Sequence, residues 1–224
     1  MFYVHKGDIM RIDKIKQSKW AFTFQTGIHI ADNQINESLS KTLMERGIID
    51  GIEKISVEDN RDLKIICKNN KNIAISSKKM LYRSVFEGKD FQDEMPKWIQ
   101  EQKDILRTIL IEDKDLTIIT KLTTIIPCEN SMSKLQKLMN PNLEMDELQH
   151  FVGNGFRLFI KSNSQSKILN ELYVEPLVRD QNNIFIQIQI AANQSCLDDI
   201  KQLVQDDLDN TYKTLDRILQ HIEE

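Results

Sequence analysis

The fold is decided by the stretch Ile184-Phe-Ile-Gln-Ile-Gln-Ile190, which has isoleucine at every second position. Because successive side chains of a strand point to opposite faces, this alternation predicts a strand with one buried face. A second such strand begins at Trp20, where Trp20, Phe22 and Phe24 alternate with small or polar residues. Strands of this kind are typical of an antiparallel sheet that is covered on one side.

The predicted secondary-structure elements follow the same order in both halves of the chain. The first half is predicted to contain a strand over Trp20–Ile30, a short helix between Asn36 and Gly47, strands over Ile52–Glu58, Asp62–Lys68 and Asn72–Ser76, and a helix from Pro96. The second half is predicted to contain a strand over Leu116–Ile126, one or two short helices within Ser133–Phe151, strands over Phe156–Ile160, Ile168–Val178 and Ile184–Ile190, and a long terminal helix. The segment Ser77–Gln92 gives no clear signal.

This order predicts an α+β protein with mostly antiparallel sheet backed by helices. The two halves, residues 1–112 and 113–224, have the same predicted order of elements, β-α-β-β-β-α. This shared order, and nothing else in the sequence, suggests an ancient duplication. Two sheets side by side and one continuous sheet fit the pattern equally well.

Composition describes an ordinary globular chain of 224 residues, with 40% hydrophobic residues, 29% charged residues and a net charge of −4. A negative net charge argues against non-specific nucleic-acid binding by the whole chain. No stretch approaches the roughly 18 consecutive apolar residues of a membrane span, and the charged N-terminus lacks the apolar core of a signal peptide. We therefore expect a cytoplasmic protein, and the abundance of isoleucine, lysine and asparagine suggests an AT-rich, microbial source.

Motifs for bound phosphate, metal or cofactor are missing from the sequence. Gly153-Asn-Gly155 lacks the other glycines and the lysine of a phosphate-binding loop and instead indicates a tight turn. The four histidines form no metal-binding pair, and the three cysteines are far apart. The sequence therefore predicts no metal site, no cofactor and no recognisable catalytic motif.

One set of carboxylates carries the alternative hypothesis of an enzyme. Glu171 and Glu175 share strand parity with Tyr173, and Asp180 follows closely. Facing carboxylates bind divalent ions or act as acid and base, so this cluster suggests a metal-dependent phosphoesterase or nuclease. The competing interpretation is a solvated sheet face, with Leu172 packed inward.

A weaker alternative is single-stranded nucleic-acid binding. Lys78, Lys79 and Arg83 flank Tyr82, and cations interleaved with an aromatic ring suit phosphate contacts and base stacking. The carboxylates that follow, beginning at Glu87, oppose this interpretation and favour a charged connection.

The long terminal helix carries the leading hypothesis. Its apolar residues recur at three- and four-residue steps, and the helix is predicted to be about 40 Å long. If this stripe extends beyond the core, its exposed part binds a partner; we expect that part to include Leu208, Leu215, Ile218 and Ile222. Packing of the stripe across the protein's own sheet is the competing interpretation.

The sequence therefore favours a non-catalytic protein–protein interaction protein, such as an adaptor, inhibitor or assembly subunit. It is predicted to bind a protein partner, or a second copy of itself, through the terminal helix.

Overall fold

The computed structural model describes residues 19–27, 35–58, 62–68, 70–87, 91–109, 116–139, 155–162, 169–177, 179–194 and 200–223. Within these ranges the chain forms nine strands and four helices. The strands are β1 (Trp20–Gly27), β2 (Ile52–Glu58), β3 (Asp62–Cys67), β4 (Asn72–Ser76), β5 (Lys79–Phe86), β6 (Leu116–Pro127), β7 (Phe156–Lys161), β8 (Leu169–Leu177) and β9 (Asp180–Gln194). The helices are α1 (Glu37–Glu45), α2 (Phe91–Ile109), α3 (Ser131–Met139) and α4 (Ile200–Glu223).

All nine strands belong to one antiparallel sheet in the order β2-β3-β4-β5-β1-β6-β9-β8-β7. The predicted α+β class is confirmed, and of the two arrangements that fitted the sequence the chain forms the continuous sheet. Each half places its first strand at the centre, its last strand next to it, and its remaining strands outward. The halves therefore correspond in strand order.

The first half contains one strand more than the sequence predicted. β5 lies in the segment that gave no clear signal, and it pairs with both β4 and β1. Its pattern is hard to recognise because Leu81 and Val85 lie on the opposite side of the sheet from the buried Met80 and Tyr82. Apolar residues on both faces hide the alternation that marks a half-buried strand.

One face of the sheet is buried beneath the helices. The isoleucines at 184, 186, 188 and 190 point into this core, as predicted. Trp98 of α2 packs edge-on against Phe22 at a ring distance of 5.2 Å and stacks on Tyr82 at 5.9 Å. Trp20 of β1 meets Tyr212 of α4 at 6.3 Å. Aromatic contacts therefore join both long helices to the sheet.

Helix α4 uses its apolar stripe within the protein. Leu208 and Leu215 are fully buried, Ile222 is 3% exposed, and Ile218 packs against the same core. The helix packs chiefly against β8, β9 and the helices α2 and α3. Of the four residues predicted to bind a partner, three are therefore buried in the core and Ile218 is partly buried against it, while partner binding itself stays a prediction.

Some predicted features lie outside the described residues. They include residues 140–151 of the predicted helical region and the proposed boundary between the halves near residue 112. No helix of the described ranges is long and apolar enough to cross a membrane.

Candidate functional site

The sheet has a second face, here called the open face, whose side chains point away from the helices and are exposed or half-buried. Strand register places these side chains in rows that cross the sheet. One row links both halves of the chain through six strands: Arg83, Thr23, Lys121, Gln189, Glu171 and Phe159.

Cations outnumber carboxylates among the open-face side chains that the structure describes. The cations are Lys54, Lys64, Lys79, Arg83, Lys121, Arg157 and Lys161, and the carboxylates are Asp62, Glu171 and Glu175. Because the whole chain has a net charge of −4, its negative charge is concentrated elsewhere. Such an asymmetry favours an acidic partner for this face.

Four open-face residues near the β7 edge form the Arg157 cluster, which consists of Arg157, Phe159, Glu171 and Tyr173. The Arg157 Nη2 and Nε atoms donate to Glu171 Oε2 at 2.6 and 3.1 Å. The guanidinium carbon lies 4.7 Å from the centre of the Phe159 ring and 4.9 Å from that of Tyr173. The Tyr173 hydroxyl donates to the same carboxylate oxygen at 2.5 Å. Arg157 is therefore fixed by both charge and aromatic contacts.

Electrostatics keep the carboxylate of this cluster ionised. Burial alone raises the pKa of Glu171, but hydrogen bonds from Tyr173 and Arg157 and the positive charge of Arg157 together lower it below its ordinary value. The hydrogen bond to Glu171, followed by burial, raises the pKa of Tyr173. Neither shift brings its group toward the near-neutral range that suits a general acid or base.

The three carboxylates of the enzyme hypothesis do not converge. Glu171 and Glu175 share the open face as predicted, but four residues of strand separate them by about 13 Å. Asp180 instead accepts hydrogen bonds from the Asn182 backbone N–H at 3.2 Å and the Asn183 side chain at 2.6 Å, next to the β8–β9 turn. Within the described ranges, no group of three or more histidine, cysteine or acidic side chains is placed to hold a metal ion.

The basic segment Lys78–Arg83 is also divided, because its side chains lie on both faces of the sheet. Lys79 and Arg83 lie on the open face, and Lys78 lies in the turn before β5. Tyr82 is 1% exposed on the buried face and donates its hydroxyl hydrogen to Glu101. Its ring therefore cannot stack on a base beside these cations.

Several exposed apolar residues of the open face were not identified as site residues from the sequence. Phe159 is 56% exposed and Ile125 is 50% exposed. Ile125 pairs across the sheet with Phe185, which is half-buried. Phe185 could have indicated this surface, because it is an aromatic residue of opposite parity to the buried isoleucines of β9.

Comparisons with known proteins give no match: no protein-family model matches the sequence, and no curated protein matches it.

Proposed function

We propose that this protein is a non-catalytic interaction protein that binds an acidic protein partner on the open face of its sheet. The proposal rests chiefly on the Arg157 cluster, which presents an ordered arginine and an exposed Phe159. Because Leu208 and Leu215 of α4 are buried, we propose the binding surface on the sheet and not on the terminal helix.

The chemistry of the Arg157 cluster resembles that of residues that dominate binding energy at interfaces. Arginine and tyrosine are enriched among such residues, and aromatic rings are enriched at interfaces in general. Glu171 and the two rings hold Arg157 in one orientation, so that less side-chain entropy is lost on binding. A partner carboxylate can reach the remaining donors, because the Arg157 side chain is 47% exposed.

A protein partner suits the open face better than a nucleic acid does. Exposed aliphatic side chains, including Ile125 and Ile66, offer contacts that an apolar protein surface can match. Glu171 and Glu175 lie among the cations and would repel phosphates, whereas nucleic-acid binding depends on neutralising many of them. Lys121 and Arg83, which share a row across the sheet, would instead pair with individual acidic residues.

Site-specific photocrosslinking tests this proposal, because it captures a bound partner of any identity at a chosen position. A benzoyl-phenylalanine replaces Gln187 of β9, which pairs with Tyr173 on the open face, or Lys213 on the exposed side of α4. We expect a discrete protein adduct from position 187 in cells that carry the gene, and none from position 213. Adducts from α4 alone, no adduct from position 187, or an adduct there that nuclease removes would each overturn the proposal.

A matched pair of variants then measures the contribution of the cluster. Phe159→Ala should weaken partner binding about fivefold or more, because truncating one of the few interface residues that dominate binding costs over about 1 kcal/mol. Met44→Ala removes a similarly exposed apolar side chain from α1 and should leave binding unchanged. Equal effects of the two variants would argue against the open face.

A further inference from the structure

The two edge strands of the sheet differ in how they are protected. β2 has an irregular register against β3 between Ile52 and Lys54, and such an irregularity hinders the addition of another strand. β7 instead pairs regularly with β8 over all six of its residues. Among the residues that the structure describes, no strand lies on the other side of β7. Alternate residues of β7 therefore direct their backbone N–H and C=O groups outward, where a further strand can pair with them.

The side of β7 that faces the helices is apolar but incompletely buried. Phe156, Leu158 and Ile160 pack against the core and are only partly buried. Leu172 and Val174 of β8 lie directly opposite two of these residues and are fully buried. Burial therefore decreases at the edge strand, and an added strand with apolar residues on this side would remove more apolar surface from water.

The open-face side of β7 is cationic. It presents Arg157, Phe159 and Lys161, and β7 contains no carboxylate. Arg157 is oriented by Glu171 and is still 47% exposed, whereas Lys161 pairs across the strands with the uncharged Leu169. Opposite charges that face each other across a strand pair are stabilising, and like charges are destabilising. The edge therefore favours a strand with carboxylates opposite both cations.

A second copy of this chain suits the edge less well than an acidic segment does. Pairing of two β7 strands would bring together two copies each of Arg157 and Lys161, with no carboxylate from either β7. Charged side chains on an edge strand are a common protection against such self-pairing. The same cations attract an acidic segment, so that they discriminate between the two kinds of partner.

We propose that the acidic partner contributes an extended segment that adds to β7 as a further strand. Two carboxylates of this segment, four residues apart, lie beside Arg157 and Lys161, and apolar residues between them lie beside Phe159 and Leu158. In strand addition the backbone hydrogen bonds give affinity and the alternate side chains give specificity. The partner is that of the proposed function, on which this inference rests.

Nuclear magnetic resonance with a designed peptide tests strand addition directly. The probe is acetyl-Val-Glu-Val-Tyr-Val-Glu-Val-amide, whose sequence is the same in both directions and therefore suits parallel or antiparallel pairing. The comparison peptide has lysine in place of both glutamates. With the acidic peptide we expect saturable shifts of the β7 amide signals and nuclear Overhauser contacts between the two backbones. The basic peptide should bind at least about tenfold more weakly, because it places like charges opposite the two cations.

Charge reversals on the two edge strands provide matched variants. Lys161→Glu should weaken binding of the acidic peptide about fivefold or more and should strengthen binding of the basic peptide. Lys54→Glu makes the same change at an exposed open-face position of β2 and should alter binding less than twofold. Absence of β7 shifts, backbone contacts at another strand only, or equal effects of the two variants would overturn the inference.

The photocrosslinking result separates this inference from the proposed function. An adduct at position 187 without peptide contacts at β7 would retain the open-face partner and reject strand addition. Peptide contacts at β7 without an adduct at position 187 would overturn the proposed function, and with it the partner assigned to this edge. Both an adduct at position 187 and charge-dependent peptide contacts at β7 are expected.

Discussion

The Lys71 ammonium lies 2.6 Å from the Glu101 carboxylate, and the two side chains are only 11% and 14% exposed. Lys71 follows β3 and Glu101 belongs to α2, so this pair ties the helix to the outer strands of the first half. Burying two charges is costly even when they are paired. Such a pair therefore adds little stability relative to a pair of apolar side chains. Removing one partner, however, strongly lowers the free energy of unfolding, because the other charge stays buried without a counter-charge.

Glu101→Ala should lower the free energy of unfolding by about 3 kcal/mol, because it leaves Lys71 largely buried without its counter-charge. Urea denaturation measures this change. The double variant Lys71→Met with Glu101→Leu should lose less than the single variant, since it leaves no unpaired charge. A loss as large in the double variant would show that packing or the hydrogen bond from Tyr82, and not the charge pair, accounts for the effect.

Gly155→Ala should lower the free energy of unfolding by about 1–3 kcal/mol, the usual cost of overpacking. A Cβ at position 155 would lie 2.5 Å from Glu175 Cγ and 2.9 Å from its Cα, so the backbone of β8 must shift. Gly27→Ala is the matched control, because its Cβ would meet nothing nearer than 4.0 Å. Equal thermal stability of the two variants would contradict the close approach.

Sequence periodicity predicted most strands correctly because alternation is a local property. The buried isoleucines of β9 and the shared face of Glu171 and Tyr173 both followed from parity alone. Parity did not predict the contact between Glu171 and Arg157, because the two residues meet only through the register of β7 against β8. That register depends on the whole sheet, which no local pattern specifies.

The role of α4 could not be predicted for a related reason. Its periodicity correctly indicated an amphipathic helix, but burial of Leu208 depends on how much sheet is present to cover it. That cover comes chiefly from β8 and β9, together with the helices α2 and α3, and no local pattern within α4 specifies it.

Leu208→Ala should lower the free energy of unfolding by about 2–5 kcal/mol, because it creates a cavity in the core. Lys213→Ala, on the exposed side of the same helix, should change stability by less than about 0.5 kcal/mol. Chemical denaturation of both variants checks this. If Leu208→Ala kept full stability and lost only partner binding, the terminal helix would regain its place as the interaction surface.

Glu171→Gln should change how stability depends on pH. The folded pKa of Glu171 lies below its ordinary value of 4.5, so its ionised form stabilises the protein above that value, and this contribution is lost as pH falls through the folded pKa. The variant should therefore be less stable than the wild type at pH 6, by up to about 1 kcal/mol for a partly exposed pair. The difference should shrink as pH is lowered below 4.5. Urea denaturation curves recorded at several pH values, from pH 6 to below 4.5, measure this difference in the free energy of unfolding.

The charge-matched control for this prediction is Glu45→Gln, which removes an exposed carboxylate from α1. Its stability should stay within about 0.5 kcal/mol of the wild type, because Glu45 is an exposed side chain away from the special features that make substitutions costly. A gap between wild type and Glu171→Gln that stayed constant with pH would mean that the ion pair with Arg157 does not stabilise the fold. The Arg157 cluster would then lack the fixed arginine on which the proposed interaction surface depends.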